Sequence, residues 1–451
     1  MILVVWRSAM AWFSSRKRPM HLGRYPMEKI RRVDKPTTLI TDDIQRVPKR
    51  AGFFVRCAHG DVGPKAGEEI KRFITKTPLN RAFGHVHWQQ IAVHRGDPVK
   101  EKAPLPDDPK EVAKHIKSLC HFLDADIVGI CEMPKWAWYS HQRDGTSIET
   151  DHKYAIVILI DQGFDTMEAS SGDDWVSGTQ SYRAYLKGST VACVVADYIR
   201  RLGYPAQAHS NADGDVLQIP LMVLAGVGEL SRIGELVLNP FLGPRYKTAI
   251  VTTDLPLAVD KPIDFGLQDF CSKCKKCARE CPAQAIPYGD KVLYNGYEIW
   301  KPDVGKCVKY RVTNPKGSAC GRCMKMCPFN KEGLMVHRWA LWAAIHLPFT
   351  RRLLIWLDDA LKYGKQNPLK KWWLDLEIVN GRVVEPKGTN ARDLYLDRKL
   401  PDGNENIAVY PVSTLPGPDD EQAVPLDRKQ GLADCRAAEQ ELVQIQSIGG
   451  N

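Results

Sequence analysis

The sequence lacks any apolar stretch long enough to cross a membrane. Its longest apolar run, Trp339–Phe349, has 11 residues and contains His346, whereas a membrane-spanning helix needs ~20. The apolar opening Met1–Phe13 is interrupted by Arg7 and has no small-residue cleavage site. The pair Arg31-Arg32 is not followed by the apolar run that a twin-arginine export signal requires. We therefore expect a soluble, cytoplasmic protein with no membrane partner.

Internal repeats and low-complexity stretches are also missing, apart from one doubled cysteine motif. This absence excludes solenoids and propellers, whose sequences repeat every ~20–50 residues. Of the 451 residues, 44% are hydrophobic and 26% are charged. That balance is typical of a folded globular protein and excludes a disordered chain.

The net charge of +10 is distributed unevenly along the chain. Residues 1–50 hold 12 Lys or Arg against 4 Asp or Glu, and residues 271–331 hold 13 against 4. The rest of the chain is therefore acidic. Two separate basic regions indicate two local surfaces, so we expect no nucleic-acid partner.

Alternating strand and helix patterns occupy the middle of the chain. Helices are predicted over Pro109–Leu123 and Ser189–Leu202, and buried strands over Ala125–Cys131, Tyr154–Ile160 and Lys247–Thr253. Strands separated by helices predict an α/β layered core. The pattern leaves the relative direction of the strands open.

Changes in composition divide the chain into four predicted units. These are an N-terminal segment that wraps the core (1–108), the α/β core (109–265), a small cysteine-rich domain (266–335) and a C-terminal segment (336–451). The last unit begins with a helical, aromatic stretch. From Pro401 it is acidic, with nine Asp or Glu against three Lys or Arg. We expect this tail to wrap the surface or to be loosely held.

The cysteine-rich unit carries the most specific motif of the sequence. Cys271-x₂-Cys274-x₂-Cys277-x₃-Cys281-Pro282 is the bacterial ferredoxin run, in which the first three thiolates bind one [4Fe–4S] cluster and the fourth binds a neighbouring cluster. A reducing compartment favours such metal ligation over disulfides.

A second, incomplete motif supplies the remaining ligands. It reads Cys320-x₂-Cys323-x₃-Cys327-Pro328, and Cys307 lies upstream to complete it. Each cluster needs four thiolates, so the crossed arrangement assigns two sets. The first set is Cys271, Cys274, Cys277 and Cys327, and the second is Cys281, Cys307, Cys320 and Cys323.

Two alternatives concern this region. Paired zinc ribbons also use Cys-x₂-Cys elements, although the third closely spaced cysteine and the Cys-Pro pairs are typical of iron–sulfur loops. The surrounding cations compensate an anionic cluster, form an exposed docking face for an acidic electron donor, or do both. The candidates for such a face are Lys273, Lys275, Lys276, Arg279, Arg322 and Lys325.

The other five cysteines lack metal-like spacing and are expected to be core or incidental thiols: Cys57, Cys120, Cys131, Cys193 and Cys435.

Several motifs in the core, taken with this iron–sulfur spacing, resemble the corrinoid-dependent reductive dehalogenases. They are Ser181-Tyr182-Arg183-Ala184-Tyr185-Leu186-Lys187-Gly188, Gly203-Tyr204-Pro205-Ala206, His209-Ser210-Asn211, Leu242-Gly243-Pro244-Arg245-Tyr246-Lys247, Thr253-Asp254-Leu255-Pro256-Leu257 and Cys327-Pro328-Phe329-Asn330. The resemblance covers residues 105–335 well, the region of Leu22–Glu28 moderately and the C-terminal third weakly.

This resemblance implies a fold and a set of cofactors. The fold is an α/β (α+β), nitroreductase-like cobalamin-binding core with an inserted or appended ferredoxin-like domain that holds two [4Fe–4S] clusters. Members of the family bind base-off cobalamin without a protein histidine on cobalt. In agreement, none of the 12 histidines stands in an Asp-x-His-x-x-Gly element. The chain resembles the cytosolic catabolic members that lack a fused reductase and receive electrons from a separate ferredoxin- or flavodoxin-type donor.

The resemblance also implies the catalytic residues. The proton donor above the corrin falls at Tyr185, the basic residue beside it at Lys247, and a second cation at Arg311. An ammonium group next to a phenol favours release of the phenolic proton, and a guanidinium suits an anionic substrate or a departing halide. Ser210 and Asn211 are the candidate cobalamin contacts, with Asn211 donating to the corrin or to the substrate.

The implied activity is the two-electron removal of halide from an organohalide through cob(I)alamin, with a halogenated phenol or other aromatic favoured. The aromatics of Lys135–Tyr139 are candidate pocket residues for such a ring, although aromatic clusters are more often core. Two rivals stay open. One is an epoxyqueuosine reductase-like enzyme that modifies tRNA, and the other is a non-catalytic iron–sulfur electron-transfer subunit.

Overall fold

The computed structural model of the protein describes residues 18–150 and 152–448. The interpretation of Met1–Phe13 given above lies outside these residues. Within the described ranges, no helix is long and apolar enough to cross a bilayer.

The described chain contains fourteen α-helices and twelve short or medium strands, interspersed with 3₁₀ turns. The helices are α1 (Phe53–Ala58), α2 (Pro64–Phe73), α3 (Pro78–Gln89), α4 (Pro109–Phe122), α5 (Phe164–Ala169), α6 (Ser177–Arg201), α7 (Gln218–Leu224), α8 (Leu267–Cys274), α9 (Lys276–Arg279), α10 (Val304–Thr313), α11 (Arg322–Met326), α12 (Met335–His346), α13 (Arg351–Ala360) and α14 (Arg428–Ile448). The strands are β1 (Arg31–Arg32), β2 (Ile127–Glu132), β3 (Tyr154–Asp161), β4 (Ala206–His209), β5 (Glu229–Leu230), β6 (Val237–Leu238), β7 (Tyr246–Thr253), β8 (Ile263–Asp264), β9 (Val292–Tyr294), β10 (Tyr297–Ile299), β11 (Glu377–Val379) and β12 (Arg382–Val384). The 3₁₀ turns are Met20–Leu22, Met27–Lys29, Lys49–Ala51, Gln90–Val93, Lys135–Ala137, Pro348–Thr350, Pro368–Lys370 and Val412–Thr414.

A four-stranded sheet in the order β2-β3-β7-β4 forms the centre of the fold. Every neighbouring pair is antiparallel, which answers the question of strand direction. In this register Lys247 lies opposite Ile160, and His209 lies opposite Ile250. The three predicted strands coincide with β2, β3 and β7 to within two residues, because each is a continuous run of β-branched and apolar side chains.

The middle strand β3 is buried on both faces. Ile156, Ile158 and Ile160 pack with the apolar sides of α4 and α6, while Val157 and Leu159 pack on the opposite face with α7. Successive side chains of a strand point to opposite faces, so a run with no polar interruption is required where both faces are covered.

Helix α6 is longer than its predicted span, because it begins at Ser177 rather than at Ser189. Its N-terminal half is rich in Gly, Ser and Gln, which hide the apolar periodicity, yet these positions are buried. At Gly188 an added Cβ would meet Ile160 Cγ1 at 3.4 Å, an ordinary van der Waals contact, which shows that the helix lies directly against the sheet. As a consequence, Tyr185 lies within the helix.

The aromatic stretch after β2 belongs to the core. Trp138 is only 3% exposed and packs in the apolar cluster beneath the sheet, and Trp136 and Tyr139 pack against the same cluster. The prediction that these rings line a substrate pocket is therefore wrong for Trp138, whose faces are covered by core side chains.

The C-terminal tail is packed, which agrees with the alternative that it wraps the surface and contradicts the alternative that it is loosely held. Helix α14 buries Cys435 and Leu442 and contacts β9. Ahead of it, the backbone of Ala408 donates to the buried carboxylate of Asp303, which also pairs with Arg428. The acidic composition of the tail gave no indication of these apolar contacts and this ion pair. The tail thereby covers part of the cysteine-rich region.

Candidate functional site

Two tyrosines of α6 and one lysine of β7 meet where the helix crosses the sheet. Tyr182 and Tyr185 are three residues apart, and their ring centroids are separated by 5.8 Å in an edge-to-face arrangement. Lys247 Nζ lies 5.1 Å from the centroid of the Tyr185 ring. The structure therefore brings together the two residues assigned to proton transfer.

Arg311 approaches the same tyrosines from α10. Its Cζ lies 4.8 Å from the centroid of the Phe54 ring. Burial raises the pKa of Tyr182 above its usual range, and the Arg311 guanidinium opposes that rise. Burial likewise raises the pKa of the Cys307 thiol to about 11, again opposed by Arg311. Arg311 is thus near both Tyr182 and Cys307 of the second cysteine set.

His87 of α3 is a neighbour that the sequence interpretation missed. Its ring stacks on Tyr185 with centroids 6.4 Å apart and an interplanar angle of 10°. The same ring meets Tyr182 edge to face at 6.3 Å. No local motif marks this histidine, and it enters the site because α3 packs against α6.

Ser210 and Asn211 occupy a turn directly after β4. Ser210 Oγ accepts a hydrogen bond from the Ala212 backbone N–H, and the Asn211 side chain is exposed. Because His209 pairs with Ile250, this turn lies three residues along β7 from Lys247. The structure does not bring the turn against Tyr185, and its contact with a cofactor stays a prediction.

The first cysteine set surrounds one small cavity. Cys271, Cys274, Cys277 and Cys327 all line it. The pKa of Cys277 is raised well above its ordinary value, first by burial and then by the other three sulfurs of the set. Arg232 borders the cavity and donates through Nε to the carbonyl of Cys271.

The second set is grouped in the same way. The pKa of Cys323 is raised to about 12 by burial and then by the neighbouring Cys307 and Cys281. The pKa of Cys320 is raised by burial, by the Asp173 carboxylate, and by Cys323 and Cys281. The two sets are therefore separate groups of four, matching the crossed assignment from the spacing.

This donor chemistry fits four-iron clusters better than zinc. A zinc ion holds its sulfurs about 2.3 Å from one point, whereas a [4Fe–4S] cluster holds its thiolates at separate corners. Across residues 18–150 and 152–448, no three His, Cys, Asp or Glu side chains converge as a single metal ion requires. The other five cysteines, Cys57, Cys120, Cys131, Cys193 and Cys435, are all buried.

Comparison with known proteins shows a consistent similarity to one family. Residues 270–331 match the 4Fe-4S dicluster domain. Over 186 residues the chain is 36% identical to the tetrachloroethene reductive dehalogenase of Sulfurospirillum multivorans, covering 40% of this chain and 36% of that protein. A solved reductive dehalogenase, reported with a mechanism for B12-dependent dehalogenation, is 48% identical and superposes with a TM-score of 0.91 over 98% of this chain and 65% of that one. Over nearly its whole length, the chain is therefore similar to solved reductive dehalogenases.

A further solved family member, the catabolic reductive dehalogenase NpRdhA in complex with 3-bromo-4-hydroxybenzoic acid, is 47% identical with a TM-score of 0.92. That alignment covers 99% of this chain and 65% of the other. The chain thus spans about a third of the S. multivorans protein and just under two thirds of the solved chains. The structural match confirms the predicted fold class, and the four domain boundaries stay predictions.

The basic residues near the cysteines are largely internal. Lys276 pairs with Asp358, Arg322 pairs with Glu280, and the backbone carbonyl of Glu168 accepts a hydrogen bond from Lys325 Nζ. All three cations are at most 4% exposed. The prediction that they form an exposed docking face is therefore wrong for these residues, because acidic and carbonyl partners distant in sequence enclose them.

The Arg322–Glu280 pair makes the structure around the second set sensitive to mutation. We expect Arg322→Ala to lower the unfolding free energy by ~3–5 kcal/mol, because it leaves the buried Glu280 carboxylate with only the longer, 3.3 Å contact to Arg279 as an ion pair in the described part of the chain. Both side chains are 0% exposed and 2.8 Å apart. Anaerobic chemical denaturation would measure the shift in midpoint.

Two further variants serve as controls for that experiment. The exposed Arg352→Ala should leave the midpoint unchanged. The double variant Arg322→Met/Glu280→Leu should recover most of the loss, because it removes both charges together. A midpoint for Arg322→Ala equal to that of the wild type would contradict the assignment.

Proposed function

We propose that the chain is a reductive dehalogenase that replaces the halogen of an organohalide by hydrogen. Two electrons and one proton are consumed for each halide released. The observation that carries the proposal is the proximity of Lys247 to Tyr185, with Arg311 near both Tyr182 and Cys307 of the second cysteine set. A proton donor, two cations and an electron-delivery group would then act at one site.

The proposed cofactors are base-off cobalamin without a protein histidine on cobalt and two [4Fe–4S] clusters. When bound, the corrinoid supplies the low-potential cobalt that cleaves the carbon–halogen bond, and the clusters supply its electrons. The two sets of four cysteines would hold the clusters. The 65% coverage of a family member reported with B12-dependent dehalogenation supports the corrinoid.

The protein side chains supply the proton and the electrostatics. The Tyr185 hydroxyl donates its proton to the carbon that loses the halogen. Lys247, above the same ring, stabilises negative charge on the phenolic oxygen as the proton leaves. Arg311 binds an anionic group of the substrate or the departing halide.

We propose halogenated phenols as the favoured substrates. They are flat, carry an ionisable hydroxyl and match two cations next to a ring-lined site. The NpRdhA complex with 3-bromo-4-hydroxybenzoic acid, itself a halogenated phenol, supports this choice. A separate ferredoxin- or flavodoxin-type protein is the proposed electron donor, and the cytoplasm the proposed location.

Anaerobic reconstitution tests the proposal. The loaded protein should contain one cobalt and about eight irons per chain and should release halide from a bromophenol when reduced. Cobalt and iron without halide release, but with turnover of an epoxyqueuosine-containing tRNA stem loop, would favour the tRNA-modifying rival. Iron without cobalt would favour an electron-transfer subunit.

A lysine variant tests the electrostatic part of the proposal. We expect Lys247→Met to lower kcat at least ~10-fold, because it removes the cation that assists proton release while keeping the aliphatic stem over Tyr185. Lys187→Met is the matched control, since Lys187 is a half-exposed residue of the same helix as Tyr185 that pairs with Asp124. Equal kcat values for both variants would show that Lys247 is only a surface charge.

A further inference from the structure

A row of buried polar side chains faces α6 from α3 and the 3₁₀ turn after it. Asn80 and His87 are seven residues apart and share one face of α3, and His94 follows directly after the 3₁₀ turn, seven residues further on. None of the three is more than 1% exposed. Within the described part of the chain, each retains at least one buried polar atom without a hydrogen-bond partner.

Of these three residues, His87 has the most polar atoms without a hydrogen-bond partner in the described ranges. Among the described residues, neither of its ring nitrogens has a hydrogen-bond partner, whereas His94 Nε2 meets Ser189 Oγ at 3.5 Å. Burial lowers the pKa of His87 to about 4. The Gln90 side chain next to the ring opposes this shift only in part, and its Oε1 does not reach hydrogen-bond geometry with either ring nitrogen. The ring is therefore neutral near pH 7 and offers one N–H donor and one acceptor nitrogen.

Such a group calls for a physical explanation, because almost all buried polar groups in native proteins are hydrogen-bonded. An apolar ring of the same shape would fill the space without the desolvation penalty. Stacking on Tyr185 does not require the nitrogens, since phenylalanine stacks as well. The two nitrogens therefore point to a partner that arrives from outside the chain.

The location of His87 indicates which partner this is. Its ring lies flat against Tyr185, the proposed proton donor, and edge to face with Tyr182. The buried Nε of Arg311, close to Tyr182, is also without a partner in the described ranges. Unpartnered polar atoms thus surround the two tyrosines from α3 and from α10.

We propose that His87 is a ligand-binding residue of the Tyr185 site, donating one hydrogen bond to, and accepting one from, a polar group that both donates and accepts. This inference rests on the proposed function. A carboxamide at the edge of the corrin and the hydroxyl of a phenolic substrate share this chemistry. Either group would form hydrogen bonds with the ring nitrogens of His87 only when the cofactor or the substrate is bound.

The test compares His87→Phe with His94→Phe. In the cofactor-free protein, His87→Phe should raise the melting temperature by about 2 °C, because it removes two buried polar atoms that have no partner. His94→Phe should not raise it, since it breaks the contact with Ser189. His87→Gln, which keeps a donor and an acceptor, should retain ligand binding better than His87→Phe.

Two binding measurements distinguish the sources of the ligand group. If the group is a corrin amide, His87→Phe should weaken binding of hydroxocobalamin about tenfold in a fluorescence-quenching titration. If the group is the substrate hydroxyl, cobalamin binding should be unchanged, and KM for a bromophenol should rise about tenfold with kcat less affected. Either result supports the proposal.

Other outcomes overturn it. A lower melting temperature with unchanged cobalamin affinity and KM would make His87 a structural residue satisfied by buried water. Nitrogen hyperfine splitting in the cob(II)alamin EPR spectrum that disappears in His87→Phe would place the imidazole on cobalt instead. A wild type that binds cobalamin but does not dehalogenate would refute the proposed function, and the titration would still decide the role of His87. A wild type that binds no cobalamin would refute both.

Discussion

Tyr185→Phe should retain cobalamin and both iron–sulfur clusters while losing dehalogenation by ~10²–10⁴-fold, the range typical of removing a general acid. The substitution deletes one oxygen and keeps the ring, so stacking on His87 and packing against Tyr182 are preserved. Only the proton delivered to carbon is lost. Halide release and debrominated product should be measured anaerobically with a bromophenol.

Tyr182→Phe provides the matched control on the same helix. Tyr182 is 8% exposed, and burial holds its pKa above the usual range, so it is a poorer proton donor. We expect its variant to keep activity within a few-fold of the wild type. If Tyr185→Phe turns over at the wild-type rate with its cofactors intact, the assignment is wrong, and Tyr182 becomes the next candidate.

Cys307→Ser should abolish most activity by disabling the second cluster. Cys307 stands outside the compact second motif, yet the structure groups it with Cys323 and Cys281. Without its thiolate, this set has three sulfurs for four irons. We expect lower iron content, or conversion of one cluster to a three-iron form visible by EPR, with the first cluster unchanged.

Cys435→Ser is the control for iron analysis, because Cys435 is a buried cysteine of α14 without metal-like spacing. It should keep about eight irons per chain. Full iron content and unchanged cluster spectra in Cys307→Ser would show that the crossed ligand assignment is incorrect.

Three strands of the sheet could be predicted because each is a continuous apolar run in the local sequence. Strand β3 is an uninterrupted apolar run, and both of its faces are covered in the structure. The N-terminal half of α6 was not predictable in the same way, since its burial depends on close approach at Gly188 and on polar contacts. The packed tail likewise depends on pairing between Arg428 and Asp303, 125 residues apart.

The residues of the candidate site were likewise predicted only in part. Tyr185, Lys247 and Arg311 come from separate elements and were selected through motifs that resemble a family. The structure brings Lys247 to Tyr185 and Arg311 near Tyr182. His87 carries no such motif. The seven-residue spacing of buried polar residues in α3 was visible in the sequence, but their burial follows from docking against α6.

The prediction of an exposed basic face around the cysteines was wrong for a related reason. The number of lysines and arginines was correct, but their exposure was not. Lys276 and Arg279 meet Asp358 and Asp359 of α13, about 80 positions later in the chain. Composition reports how many charges a segment holds, whereas only the tertiary structure reports which of them face water.

The packing of the C-terminal segment over the cysteine-rich region has a consequence for biogenesis. Arg398 donates to the backbone carbonyls of Arg279 and Cys281, and Arg322 donates to the carbonyl of Asp393. These later residues leave the ribosome after all eight cysteines have been made. We therefore expect iron–sulfur assembly factors to act on the nascent chain before its final segment folds down, so that maturation follows the direction of synthesis.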